Sequence, residues 1–474
     1  MSVPPVLFAH LHRKARLVDI RSGATIDKQE LWRQIETRAK ALAKAGVVGG
    51  CAAVAHRNPL ACLRDIFALW TVGAMALVVN PAITAEERAN VMTTTGAMAL
   101  LDGEEIHRST VRSVFTGPLH IEAPALTLMT SGTTGHPKGI VHTQRSLSSR
   151  IALNVAAIGS ADLERSLCVL PLHFGHGLIG NVLTVLAAGG TLYLWPQPGI
   201  EEMQGFGPLV DREQITFMSS TPSFWKVAMR LSPRPEWKMR RVHVGSAPLS
   251  AEAWSSIAGW IGTRRVLNMY GMTETANWIA GASLEDREPT DGFVGKPWGG
   301  TWAVLDGEGN IRNKGFGEVL VASPSIMTCY LGMEDATAAA FIGPWFRTGD
   351  IGMIAEDGGL TLVGRIKHEI NRGGIKIPAE EIDLLLERHP HVEEACAFPL
   401  ADPVAGEAVA AAVVLRKGGE VEAIKAWCRE RCRPEAVPTR IFPLDAIPRN
   451  DRGKIVRDHV REEALRQHKA RQRA

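Results

Sequence analysis

The sequence has no paired-cysteine motif. Its seven cysteines, at 51, 62, 168, 329, 396, 428 and 432, are odd in number and scattered, and no C-x-x-C occurs. That excludes a disulfide-stapled scaffold and fits a reduced, cytoplasmic protein. Cys428 and Cys432 are expected on one helix face, with no second ligand pair beside them. Excess charge is also missing: 53 Lys+Arg against 50 Asp+Glu leaves +3. This is too little to argue for nucleic acid or an anionic membrane. The longest nearly apolar run, Ile66 to Val79, is too short to cross a bilayer and reads as a buried helix entering a strand. The N-terminal stretch lacks the pattern of a signal peptide. Internal repeats and low-complexity segments are absent.

What is there is ordinary globular composition, 45% hydrophobic and 22% charged over 474 residues, a length suited to two or three domains. Helical periodicity over 30–45 and 59–72 alternates with apolar strands at 51–56 and 74–80. The alternation recurs with strands at 166–172, 191–195, 215–220, 240–246 and 265–271 and a helix at 178–189. Such alternation argues for parallel α/β layers. After Gly281 the texture changes to short strands between Gly-rich turns, which predicts a small β subdomain. Beyond Gly364-Arg365 it changes again, to an α+β module with helices at 379–388 and 421–431 and strands at 392–398, 408–415 and 440–444. The basic end from Arg461 reads as a solvated helix or a frayed tail.

The densest local signal is LTLMTSGTTGHPKGIVHT, Leu126 to Thr143. An apolar strand ends in Thr130, Ser131, Gly132, Thr133, Thr134 and Gly135, with Lys138 following. Glycines let backbone N–H groups turn toward an anion, hydroxyls add donors and the lysine adds charge, which suits a polyphosphate. The spacing is not that of a Walker loop. Gly175, Gly177 and Gly180 fit G-x-G-x-x-G, but the strand that follows ends in Pro196-Gln197-Pro198 without the acidic residue a dinucleotide site expects. His173 and His176 lack a third metal ligand, so lining or hydrogen bonding suits them better. Tyr270, Gly271, Met272, Thr273 and Glu274 follow another strand. They offer a ring for a base and oxygens for a phosphate-bound Mg²⁺. Asp350 ends a Thr-Gly-Asp turn and offers a carboxylate to ribose hydroxyls.

Together these stretches resemble the adenylate-forming superfamily of acyl- and aryl-CoA ligases, nonribosomal adenylation domains and firefly-type luciferases. Six segments occur in the family's order: TSGTTGHPKG, GSAPL (245–249), YGMTE (270–274), RTGD (347–350), GRIKHEINRGG (364–374) and PRNDRGK (448–454). The resemblance implies a large N-terminal α/β domain of parallel layers plus a small β subdomain (1–366). It further implies a small, mobile α+β C-terminal domain (367–474) hinged at Lys367. It assigns Thr130 to Lys138 to the ATP phosphates, Ser246, Ala247 and Pro248 to adenine with Tyr270 beside it, and Thr273 and Glu274 to the α-phosphate and Mg²⁺. Asp350 takes the ribose, Arg365 the ribose and phosphate, and Lys454 bridges the acid carboxylate and the α-phosphate.

The implied reaction joins a carboxylic acid to CoA, with ATP giving AMP and pyrophosphate through an acyl-adenylate. Loading of a carrier-protein phosphopantetheine, or a catalytically silent nucleotide-binding protein, are the alternatives. Gly373 and Gly374 fall on the pantetheine path. Arg440 is the one basic residue in 434–440, where some relatives carry an aromatic and basic dock for CoA. Gly175 stands where amino-acid-activating relatives place Asp, which disfavours an α-amino acid. Phe174, Leu178 and Trp278 imply a modest apolar pocket for an aromatic or short aliphatic acid, although a core role for Trp278 is equally open.

Overall fold

The computed structural model describes residues 14–109, 121–130, 138–450 and 454–473. By internal contacts the chain forms two compact units. The first comprises the residues up to 289 with 295–301 and 321–346; the second comprises 290–294, 302–320 and the chain from 347 onward.

Two sheets build the first unit. In one, Met75–Val78 lies parallel between Cys51–Val54 and Pro124–Thr130, with Ala99–Asp102 parallel to Cys51–Val54 on its far side. Lys138–Thr143 returns antiparallel to Pro124–Thr130. In the other, Arg16–Asp19, Thr191–Leu194, Arg165–Cys168, Phe217–Ser220, Arg241–Val244 and Val266–Gly271 run parallel in that spatial order. Trp278–Ser283 follows antiparallel to Val266–Gly271 and pairs on its other side, again antiparallel, with Phe293–Pro297. Both sheets are buried, which is why their strands read as near-continuous apolar runs.

The helix Pro59–Thr71 shows how the sequence secures an element. Asn58 caps it, accepting from the N–H groups of Leu60 and Ala61, and Pro59 fits the first turn, where no N–H partner is needed. Its apolar side buries Leu63, Ile66, Phe67 and Trp70, and the Trp70 indole donates to the Ala125 carbonyl at 2.6 Å. Asp65 on the same helix is wholly buried yet charged: Arg38 reaches it at 2.9 Å and His56 Nε2 at 2.9 Å. The Gly103 N–H donates to His56 Nδ1, so Nε2 carries the proton and donates to Asp65. Burial pushes the Asp65 carboxyl up, but hydrogen bonds from His56 and Arg38 and the charges of Arg38 and Arg64 outweigh it and hold it below its usual value.

The strands Ile311–Arg312, Thr301–Leu305, Gly315–Ala322, Trp345–Ile354 and Leu360–Arg365 lie side by side in that order, most of their residues in the second unit. This is the β subdomain expected from the Gly-rich texture. A second sheet runs Ile375–Pro378, Glu369–Arg372, Gly406–Leu415 and Val392–Asp402, with Arg440–Leu444 parallel to Gly406–Leu415. Its long strands are covered on both faces. Ala395 and Ala397 point into a core with Ile382 and Leu386, while Cys396 and Phe398 point into another with Phe442 and Val460. The basic end is a helix, Arg457–Arg473. The 428–432 pair is not on one helix: the helix Val421–Arg429 stops before Cys432, whose thiol donates to the Cys428 carbonyl. All seven cysteines are free thiols. Among the described residues no helix is long and apolar enough to cross a membrane.

Replacing Asp65 with Ala should cost about 3–5 kcal/mol, because it strands a buried guanidinium. Since the folded carboxyl is held low, its contribution is present above the unfolded value near 4 and is lost as pH falls through the folded one. Urea unfolding of wild type and variant at pH 7 and pH 3 checks this: the gap in midpoint should narrow at the lower pH.

Candidate active site

Ser131 to Gly135, and with them most of the phosphate loop, lie outside the described residues. Its two edges do not. Thr130 ends one strand directly opposite Lys138, which begins the next. The Lys138 ammonium sits 4.5 Å from the centre of the Tyr330 ring, and the Tyr330 hydroxyl donates to Glu274 Oε1 at 3.1 Å. One tyrosine therefore brings together the lysine and the carboxylate that the sequence assigned to phosphate and magnesium. Tyr330 was missed in the sequence, since a lone aromatic 56 positions from Glu274 leaves no local signal.

The turn bearing Thr273 and Glu274 is fixed from several sides. His142 Nε2 binds the Thr273 carbonyl at 2.8 Å, and burial pushes this imidazole down to about 4, so it is neutral and Nε2 donates. The Met327 N–H donates to the Glu274 carbonyl at 2.7 Å. Thr275 Oγ1 receives the Met272 N–H and donates to the Asn277 carbonyl at 2.6 Å. Beneath it, buried Arg150 donates to Ser325 Oγ at 2.6 Å, and Ser325 donates to the Thr275 carbonyl. Gly271 has no room for a side chain, because a Cβ there would meet the Asn277 carbonyl oxygen at 2.3 Å. Tyr270 is buried on the strand just before it.

Ser246 follows the strand Arg241–Val244 with φ of 67°, a left-handed conformation rare for a residue with a side chain. Such strain concentrates at functional sites. Its hydroxyl is 2.6 Å from His176 Nδ1, while His176 Nε2 is 2.6 Å from Ser219 Oγ. Burial pushes the His176 imidazole down to about 3, so one nitrogen donates and the other accepts. Ala247 and Pro248 follow at the same strand end, where open α/β sheets bind ligands.

His176 opens a π-helix, His176–Leu183, where the sequence predicts an α-helix from 178. Wider turns of this type recur at functional sites. The glycines of the G-x-G-x-x-G match serve packing here. A Cβ on Gly177 would meet the Pro171 carbonyl oxygen at 2.3 Å, and one on Gly180 would meet Asn277 Nδ2 at 1.8 Å. This helix buries Leu178, and its first ring contacts Trp278, His176 to Trp278 being 5.3 Å between centres. Phe174 precedes it, its carbonyl accepting from the Leu178 N–H. Trp278 is buried and also meets His243 at 4.6 Å. Its surroundings are thus more polar than Phe174, Leu178 and Trp278 alone suggested.

In the second unit Asp350 and Arg365 face each other on antiparallel strands and form an ion pair at 2.5 Å. Thr348 Oγ1 accepts from the Asp350 N–H. Lys367 lies in the short turn Ile366–His368 that joins the unit's two sheets. Gly373 and Gly374 form a hairpin with φ of 59° and 90° and open space where side chains would be. Arg372 beside them donates to the Glu435 carbonyl at 2.7 Å, which brings 434–436 next to this turn. Arg440 is exposed at the head of the last strand. Lys454 is exposed too; its N–H donates to Asn450 Oδ1 and its carbonyl accepts from the Asn450 N–H. Three residues on, Arg457 binds Asp383 at 2.5 Å and Glu380 at 3.1 Å, and Glu380 also holds His368. One ionic network thus reaches from the turn containing Lys367 to within three residues of Lys454.

A lysine and a carboxylate gathered by one tyrosine in the first unit, and an Asp–Arg pair within the second, fit the class of adenylate-forming enzymes. Residues 9–331 match the AMP-binding enzyme family, and residues 381–454 match the AMP-binding enzyme C-terminal domain. The chain belongs to the AMP-binding enzyme family. It is 36% identical over 356 residues to oxalate–CoA ligase of Arabidopsis thaliana, covering 73% of this chain and 68% of that protein. It is 26% identical over 469 residues to 2-succinylbenzoate–CoA ligase of Bacillus subtilis (strain 168), covering 94% and 95%. The solved structure of O-succinylbenzoate coenzyme A synthetase from Bacillus subtilis, in complex with AMP, superposes with a TM-score of 0.83 at 25% identity, over 96% of this chain and 98% of that one.

Tyr330→Phe keeps the ring under Lys138 and removes the hydroxyl from Glu274. A lost hydrogen bond to a charged group is worth about 1.5–3 kcal/mol. The KM for ATP should therefore rise by roughly one to two orders of magnitude, with a higher Mg²⁺ requirement, read from pyrophosphate exchange across a MgCl₂ titration. An unchanged magnesium curve would detach Tyr330 from the site.

Proposed function

We propose that this AMP-binding enzyme is an ATP-dependent, AMP-forming acid–CoA ligase acting on a small aromatic or short aliphatic carboxylic acid. The observation that carries the reading is the gathering of Lys138, Tyr330 and Glu274 around the turn that begins at Met272. That a relative is named for oxalate and another for 2-succinylbenzoate supports both kinds of acid.

The acid's carboxylate oxygen attacks the α-phosphorus of ATP, the bond to the bridging oxygen breaks, and pyrophosphate leaves. Acid and nucleotide are both anionic, so cations must offset the charge gathering at phosphorus. Lys138 and the loop 130–138 hold the β- and γ-phosphates, and Thr273 holds the α-phosphate. Lys454 bridges the acid's carboxylate and the α-phosphate. Ser246, Ala247, Pro248, Tyr270, Gly271 and Met272 bound the adenine, Asp350 takes the ribose hydroxyls, and Arg365 lies by ribose and phosphate. Glu274, a carboxylate, has the chemistry Mg²⁺ prefers and would hold an ion that neutralises polyphosphate charge. Phe174, Leu178 and Trp278 bound the acid.

In the second half-reaction the CoA thiol sulfur attacks the acyl carbon, its proton is lost and AMP departs. Lys367 is the pivot between 1–366 and 367–474 that exchanges Lys454 for Gly373 and Gly374, with Arg440 near the nucleotide end of CoA. Free thiols throughout support work in a reducing, cytoplasmic setting.

Lys454→Ala should remove most acid-dependent ATP–pyrophosphate exchange, by about 10²-fold or more, leave ATP binding nearly intact and still convert a synthetic acyl-adenylate to thioester. Near-normal exchange in that variant would remove Lys454 from the mechanism. Absence of exchange with every acid in the wild type would make the chain a silent nucleotide binder, and acylation of a carrier protein but never of CoA would change the acceptor.

Lys367→Pro fixes φ at the pivot. Adenylation should persist while thioester formation falls by roughly tenfold or more. Single-turnover rates of the two steps, measured separately, decide the matter, and an equal loss of both would point to damaged folding instead.

A further inference from the structure

Behind Trp278 lies a residue to which the ligase reading gives no task. His243, on the strand Arg241–Val244, is fully buried, its ring 4.6 Å from Trp278 and 6.2 Å from Trp298 between centres. Arg241 Nε donates to His243 Nε2 at 2.9 Å. A guanidinium can only donate, so Nε2 presents a lone pair and the ring's hydrogen is on Nδ1. Burial, with Arg241 next, holds this imidazole well below its ordinary range and thus neutral. Among the described residues the Nδ1–H has no acceptor. Three neighbouring donors share that condition: Trp278 Nε1, Trp298 Nε1 and Asn277 Nδ2. Unpaired buried donors are costly and uncommon, and a cluster of them calls for an explanation. His176, which also contacts Trp278, is the contrast, because both its nitrogens are taken by serines.

We propose that His243 is a specificity-determining residue that donates its Nδ1–H to an oxygen on the far end of the acid. The substrate class is then a short carboxylic acid with a second oxygen function, such as a carboxylate, sulfonate or carbonyl, and not a plain hydrocarbon acid. The inference rests on Trp278 bounding the acid pocket. Arg241 serves as a positioning residue: by occupying Nε2 it fixes the tautomer that keeps the hydrogen on Nδ1 and strengthens that donor. Sites with buried donors discriminate sharply against substrates that leave them unpaired, far more than an apolar wall can reject an extra group.

The test is pyrophosphate exchange with length-matched acids: pentanoate, 4-oxopentanoate and pentanedioate, with propanoate against propanedioate and butanoate against butanedioate. The wild type should favour an oxygen-bearing member by about 10²-fold or more in kcat/KM. His243→Leu should collapse that ratio at least tenfold by lowering the oxygen-bearing acid and sparing the alkyl one, and His243→Gln, which keeps an N–H donor, should restore part of it. If the leucine variant fails to fold, as its melting curve would show, Arg241→Met carries the same comparison, with a smaller loss of ratio expected. Equal use of alkyl and oxygen-bearing acids by the wild type, or equal loss of both in the variants, overturns the proposal while leaving the ligase reading standing. No exchange with any acid overturns the ligase reading and this inference with it.

Discussion

The rest of the first unit's site depends on how closely the backbone from Gly271 to Trp278 is gripped. Side chains are excluded where it passes its neighbours: a Cβ on Gly271 or Gly180 would land within 2.3 Å or 1.8 Å of Asn277 atoms, and one on Gly175 within 3.2 Å of the Ala276 carbonyl. Ala276 takes φ of 64° to complete the turn. The same stretch carries Thr273 and Glu274 at one end and Trp278 at the other. On the function proposed above, nucleotide chemistry and acid recognition are spaced by one rigid turn, which suits a reaction that tolerates little error in approach.

Polar groups buried near that turn are mostly neutral. His142 and His176 are pushed down by burial, so each has one donor and one acceptor and acts as a directional link between fixed partners. Arg150 is the exception. Burial pushes it down to about 9, which leaves it charged at neutral pH, and hydroxyls of Ser323 and Ser325 receive its hydrogens. A network of this kind specifies one geometry because each member's hydrogen-bond capacity is assigned.

Much of this was legible in the sequence and some was not. The alternation from Leu31 to Val78 located helices and strands within a few residues, because both sheets bury apolar side chains and short polar turns separate them. The order of the six motifs was legible through its resemblance to the family, in strand-end and turn segments of the kind that carry function. The π-helix was not, since its apolar content is compatible with an ordinary helix, and the close packing of Gly177 on the Pro171 carbonyl and of Gly180 on Asn277 appears only in the folded chain. Tyr330 and His243 were invisible because their significance is purely tertiary. In RRVHV the histidine reads as one more strand residue, and only the positions of Trp278, Trp298 and Arg241 around it make it unusual.

The doubly covered strands Val392–Asp402 and Gly406–Leu415 have a consequence for folding. Where one face of a sheet is wet, a slip of one residue exposes the core side, and that cost sets the pairing. Here small apolar side chains line both faces, so a slipped Ala-Ala-Ala-Val-Val against Ala-Cys-Ala-Phe would look almost as greasy as the correct one. The alignment must then be dictated at fixed points. Asp402 does so at the hairpin, accepting from the N–H groups of Val404 and Ala405. Asp383 and Arg457 do so mid-strand, gripping the N–H and the carbonyl of Ala397 between them. A few polar anchors, and not the hydrophobic pattern, keep this sheet in frame.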